Sequence, residues 1–233
     1  MRTVLVSLLA LGSIACGTGA TNSNPTPSSL HFQGQAWADN WFAMYLGDRM
    51  IVEDSVPITT ERSFNAETFS FDANYPLVLA FVIKDYKQND SGLEYIGLPN
   101  QQMGDGGFIF QLKDNQLGRI VNTSNAAWRC KVIHRAPLNK TCAKDPKPEL
   151  TCMSMIESEP VGWKEPAFDD STWASATEYT AAAVGPKDGY FQIPWDSAAR
   201  LIWTSDLQMD NTLLCRSRVA APSRRSPAAA WWR

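Results

Sequence analysis

The chain has 233 residues and carries 21 Lys/Arg against 24 Asp/Glu, for a net charge of −3. The charge is unevenly placed: residues 30–216 hold 16 basic residues and all 24 acids, a net of −8 over a length suited to one ordinary domain. An acidic domain lacks the positive surface that phosphate contacts require, which excludes nucleic acid as the partner.

The N-terminus reads as an export signal over residues 1–15. Arg2 precedes an apolar run, Val4–Ala15, broken only by Ser7, Gly12 and Ser13. A membrane-spanning helix needs about 20 apolar residues, so this shorter run fits the core of a secretory signal peptide. It ends at Ser13-Ile14-Ala15-Cys16-Gly17, similar to the acylated-cysteine box of bacterial lipoproteins, although those favour Leu where Ser13 stands. The expectation is a lipid on Cys16 or ordinary cleavage after Ala20. Residues 16–29 form a polar, uncharged linker with nothing large and apolar to bury.

Short strand-like runs follow, separated by turn residues, and no helix of useful length is predicted. Leu30–Trp37 leads to an Asp39-Asn40 turn. Trp41–Leu46 alternates and returns through Gly47-Asp48 into Arg49–Glu53. Ser63–Phe71 alternates, and Asn74-Tyr75-Pro76 breaks it. Leu77–Ile83 is apolar on both faces, as in a strand buried at the centre of a sandwich. Residues 85–92 read as a polar loop. Gly104-Asp105-Gly106-Gly107 turns into Phe108–Leu112. Asp114-Asn115 and Gly118 set up Arg119–Asn122, and Trp128–His134 is strand-like. This spacing predicts an all-β sandwich or barrel.

With Cys16 acylated or removed, four cysteines remain. An even number in an exported chain reads as two disulfides. Of three pairings, Cys142–Cys152 closes a Lys/Pro-rich loop and leaves Cys130–Cys215 to tie the last strand to the middle of the chain. A zinc site is disfavoured, since no short Cys-x-x-Cys or His-x-x-x-His spacing occurs.

The most specific stretch is Gly162-Trp163, followed by Phe168-Asp169-Asp170-Ser171-Thr172-Trp173-Ala174-Ser175-Ala176. It resembles a signature of galactose-binding-domain-like jelly rolls, which include sugar-binding domains appended to β-galactosidase-type and rhamnosidase-type glycoside hydrolases. Asp39-Asn40-Trp41-Phe42-Ala43-Met44-Tyr45-Leu46-Gly47-Asp48 resembles that group's first hairpin. Leu77–Lys84, Gly106–Leu112, Ala126–Cys130, Ala199–Trp203 and Leu213–Arg216 follow the same layout, so the resemblance spans about residues 35–216. Residues 85–104 are longer than the usual loop, residues 131–155 carry a cysteine-bearing insertion, and no catalytic domain is adjacent. The resemblance implies a jelly roll that binds a glycan through loops at one end. It implies no required cofactor beyond a structural calcium ion, for which no contiguous loop is visible. Turn chemistry makes Asp169, Asp170 and Ser171 scaffold residues, with Trp163, Phe168 and Trp173 buried against the sheet.

Candidate chemistry is sparse. His31 and His134 have no ligand partner at short spacing. No Gly-x-Ser-x-Gly is present, and the glycines at 104, 106 and 107 lead into a strand without a phosphate-loop lysine. No pair of carboxylates stands out for glycoside hydrolysis. The candidate ligand contacts are Trp37, Asp39, Asn40 and Trp41 around one turn, with Trp195 in a loop. An aromatic face can stack on a sugar while polar neighbours bind its hydroxyls. Asn89, Asn122 and Asn139 begin glycosylation sequons, which matter only in a eukaryotic source.

Residues 217–233 are rich in Pro, Ala, Ser and Arg and read as a disordered tail holding Trp231 and Trp232. The expectation is one jelly-roll β-sandwich domain over residues 30–216, secreted or held at the outer surface or in the periplasm, touching membrane only through an N-terminal lipid. Its expected role is non-catalytic binding of a glycan or cell-surface polymer. The alternatives are a glycan-active hydrolase with dispersed carboxylates and a structural or interaction protein without a small ligand.

Overall fold

The computed structural model describes residues 29–59, 62 and 64–222. The expected signal peptide, Cys16, linker residues 16–28, and Trp231 and Trp232 lie outside the described residues. The strands are β1 (Leu30–Asp39), β2 (Trp41–Leu46), β3 (Arg49–Glu53), β4 (Ala66–Ala73), β5 (Leu77–Lys84), β6 (Leu93–Glu94), β7 (Gln102–Met103) and β8 (Gly107–Asp114). There follow β9 (Arg119–Thr123), β10 (Arg129–Arg135), β11 (Met155–Ile156), β12 (Ala174–Ser175), β13 (Thr177–Tyr179), β14 (Leu201–Trp203) and β15 (Asp210–Val219). Helix is confined to single turns, α1 (Pro148–Thr151) and α2 (Ala181–Val184), and to 3₁₀ turns at Lys140–Lys144 and Asp188–Gln192.

The strands form two antiparallel sheets that pack as a β-sandwich. One runs β13–β14–β8–β1–β4, with β9 also on β8. The other runs β11–β10–β15–β5–β2–β3, with β12 also on β10. Alternation along the strands supplies the shared core: Phe32, Ala36, Phe108, Phe110 and Leu112 of the first sheet meet Phe42, Leu79, Phe81 and Ile83 of the second. Trp128 fills the middle, its ring 5.0 Å from Phe81 and 5.7 Å from Phe110.

Both outer faces are also partly covered, which explains the runs that fail to alternate. Ala80 and Val82 of β5 turn away from the core and are roofed by Trp163 and Trp173. Trp37 of β1 and Ile109 of β8 turn outward in the other sheet and are roofed by Phe64, Val184 and Leu201. Leu77–Lys84 is therefore apolar on both sides because each side meets protein.

Disulfides join Cys130 to Cys215 and Cys142 to Cys152. The first pair sits directly opposite across the β10–β15 ladder. Two disulfides are typical of extracellular proteins. Among the described residues no helix is long and apolar enough to cross a membrane. The last strand continues past the Arg216 boundary read from the sequence: Val219 pairs with Leu77 and is buried. The boundary at Arg216 follows the change to Pro, Ala, Ser and Arg beyond it, a composition that hides the last three strand residues, 217–219.

Candidate functional site

The chain does not turn at Asp39-Asn40; it crosses there from one sheet to the other. Asp39 ends β1 opposite Gly107 of β8, and the Asn40 amide donates to the Lys84 carbonyl of β5 at 2.8 Å. This crossing decides where the flanking tryptophans go. Trp37 is wholly buried on the outer face of the first sheet, edge-on to Tyr190 at 5.7 Å. Trp41 packs on the outer face of the second sheet, with Lys84 Nζ 4.6 Å above its ring. The two rings expected to frame one turn therefore lie on opposite sides of the sandwich and form no common platform. Trp195 is half-buried, tilted against Tyr190 and pinned by a bond from its Nε1 to the Tyr190 carbonyl at 2.9 Å.

The crossing gathers acids instead. Asp39 ends β1, Asp85 follows β5, and Asp105 precedes β8; one carboxylate oxygen from each lies within 4.8 Å of the others. Asp39 and Asp85 are buried, and neither carboxylate has a well-formed hydrogen bond among the described residues, the Tyr86 amide lending Asp85 only weak support. The amide nearest Asp85, that of Tyr86, donates to Asn40 Oδ1 at 2.6 Å. Burial pushes the Asp39 carboxyl well above the usual carboxylate range, and the charge of Asp105 adds to it against the pull of Lys187. Burial does the same to Asp85, reinforced by Asp39 and Glu94. Asp105 is half-buried, with Lys187 Nζ at 3.7 Å.

Nearby, His134 is buried on β10 with neither ring nitrogen hydrogen-bonded among the described residues. Its Nε2 lies 3.6 Å from Asp90 Oδ1, which also takes Lys87 at 2.6 Å. Burial and Lys87 push the imidazole down to about 4. His31 sits in the other sheet, bonded to Asp72 at 2.7 Å on the surface, so the two histidines serve separate places.

A cleft of about 580 Å³ opens on the flank of the second sheet. Its floor is the Cys130 end of β10, and its walls include Trp173, Ser175, Thr177 and Ser205. Two charged groups mark one end: Arg135 reaches Asp210 at 3.4 Å and Asp206 at 3.5 Å. Asp210 is also held by the Thr204 hydroxyl. Hydroxyl-bearing residues, one ion-paired acid and the largely buried Trp173 thus line a single concavity.

Comparison of the chain with protein-family models, with curated proteins and with solved structures finds no match.

The chemistry on offer therefore has to be read from geometry. Asp39 and Asp85 at the crossing are buried, whereas an acid–nucleophile pair flanks a substrate in an open cleft. Among the described residues, five clefts are each lined by a single acid: Asp210, Asp85, Asp170, and Asp188 twice. Sequence reading pointed to Asp39 but missed Asp85, Asp105, Arg135 and Asp210, which come together only through the sheet order. The usable signal for the acids was positional: each stands where an apolar run ends or begins.

Proposed function

We propose that the protein is an exported, non-catalytic β-sandwich of the galactose-binding-like jelly-roll type, which binds a glycan or another polyhydroxylated cell-surface polymer. The observation that carries this reading is the lining of the 580 Å³ cleft: Ser175, Thr177, Ser205, the Arg135–Asp210 pair and Trp173. Sugar recognition needs this mixture, in which polar groups already fixed by neighbours bond hydroxyls and an aromatic edge packs on ring carbons. A single acid in the cleft argues for binding over hydrolysis, since glycoside cleavage ordinarily uses two carboxyls. The paired cysteines and the signal-like N-terminus support export.

The test is calorimetric titration of the glycan selected on an array, using the full chain and a Ser205→Trp variant. Ser205 is exposed, so the new ring fills the cleft without entering the core. At least a tenfold loss of affinity is expected. Unchanged affinity in the variant removes the cleft from the reading.

A second reading, an interaction protein, draws on the insertion. Leu150 and Met153 there, and Ile156 and Val161 just after it, are all exposed, Val161 almost completely. Failure of the folded chain to bind any glycan favours that reading.

A further inference from the structure

The acids at the sheet crossing are accompanied by a neutral group in the same condition. Asn211 on β15 is wholly buried. Its Nδ2 donates to the Ala136 carbonyl at 2.9 Å and to the Met209 carbonyl at 2.8 Å. Those two bonds fix which end of the amide is oxygen, because only the nitrogen can donate twice. Its Oδ1 accepts nothing among the described residues. That oxygen faces the acids: a Cβ placed on Gly104 meets Asp85 Oδ2 at 1.8 Å and Asn211 Oδ1 at 3.5 Å. Both oxygens therefore border the space beside Gly104, Asp85 Oδ2 tightly and Asn211 Oδ1 at contact distance. The Asp85 amide also donates to the Asn211 carbonyl at 2.9 Å, which keeps the two residues in register.

We infer that Asp39, Asp85, Asp105 and the Asn211 side-chain oxygen form a seat for one divalent cation of the calcium class. Three carboxylates and an amide oxygen are hard donors, which suit calcium or magnesium and offer nothing soft to zinc or copper. One oxygen from each acid lies within 4.8 Å of the others, so all three can belong to one coordination sphere. Calcium suits ligands gathered irregularly from four places in the chain, whereas magnesium demands a near-ideal octahedron and dehydrates reluctantly. A cation also resolves the electrostatics, because a buried polar or charged group without a partner is costly. The ligands come from β1 and the approach to β8 in one sheet, and from β5 and β15 in the other, so the ion clamps both sheets at the crossing. The seat is separate from the 580 Å³ cleft and stands whether or not a glycan binds there.

The test uses the full chain treated with chelator and then titrated with calcium, magnesium and terbium. One calcium per chain is expected by calorimetry, with weaker magnesium binding. The melting temperature should rise by about 5–10 °C at a hundredfold excess over Kd. Bound terbium should luminesce on tryptophan excitation, because the Trp203 ring packs against Gly106, next to Asp105. Asp105→Asn lies at the half-buried rim and should fold normally while binding calcium at least tenfold more weakly. Asp85→Asn should abolish binding, and if it fails to fold, Asp105→Asn decides alone. No heat, no thermal shift and no luminescence up to about 10 mM, above the range of extracellular calcium modules, overturns the inference. Calcium binding undiminished in Asp105→Asn also overturns it, by placing the ion elsewhere.

Discussion

Arg216 Nε donates to Asp170 Oδ2 at 2.7 Å beneath the loop that carries Trp163 and Trp173, with the arginine side chain wholly buried. The rest of the guanidinium is spent on the same loop, donating to the carbonyls of Trp163, Glu165 and Phe168. Arg218 reaches the other oxygen of Asp170 at 3.0 Å. Burial works against the Asp170 charge, but its bonds to Arg216 and Arg218 outweigh it and hold the carboxyl below its usual range. The Asp-Asp-Ser turn is thus the fastening of a roof over the second sheet. Asp170→Ala should cost about 3–5 kcal/mol, because it leaves a buried arginine unpaired. Asp169 is exposed and bonds only within its own turn, to Ser171, so Asp169→Ala should leave the urea midpoint nearly unchanged. Urea unfolding separates the two variants. Equal stabilities would refute the fastening role.

The two disulfides should contribute unequally. Cys130–Cys215 spans 85 residues and Cys142–Cys152 spans 10. Chain-entropy arguments give about 4.5 kcal/mol for the longer closure and about 2.7 kcal/mol for the shorter. The Cys130→Ala/Cys215→Ala pair should therefore lower the urea midpoint more than Cys142→Ala/Cys152→Ala. The core position of the first bridge adds to the difference. A larger loss from the shorter bridge contradicts this ordering.

Asp54 makes stability fall toward neutral pH. It is buried, accepts the Val56 amide at one oxygen, and has no partner at the other among the described residues. Burial raises its pKa to about 7, the Val56 bond opposes this, and the nearby charge of Glu67 adds to it. The folded protein then holds a proton that the unfolded chain has released. The stabilisation is present below about pH 4 and is lost as pH rises toward 7. Asp54→Asn should flatten that slope, gaining on the wild type steadily between pH 4 and 7.5 in urea titrations. Parallel curves for the two proteins would show that Asp54 titrates normally.

His134 acts in the opposite sense. Its pKa of about 4 in the folded state lies below the usual 6.5, so the unfolded chain binds its proton first as pH falls. Its contribution is complete above about pH 6.5 and is lost as pH falls toward 4. Imidazole resonances followed by NMR should show His134 neutral at pH 5. A midpoint near 6.5 would contradict the buried, unprotonated ring.

Most strands were legible because alternation and turn residues report directly on a half-buried sheet. Leu77–Lys84 was recognisable as central because both faces are apolar, yet the roof over its outer face was visible only as an aromatic-rich motif. The site was far less legible. Asp39-Asn40 has the composition of a surface turn, and only the sheet order turns it into a buried crossing. Asp85 and Asp105 acquire meaning because β5 and the approach to β8 reach the same end of the sandwich. Residues 39, 85, 105 and 211 share no spacing that a linear motif could express. Trp37 misled for a related reason: an outward-facing tryptophan reads as a ligand platform until Phe64, Val184 and Leu201 are seen to cover it.

The most direct measurement is a glycan array probed with the folded, disulfide-bonded full chain beside its Ser205→Trp variant. Binding to a defined set of glycans by the native chain, lost in the variant, is the predicted result. No retention of the native chain on any glycan, with or without added calcium, would contradict the proposed function.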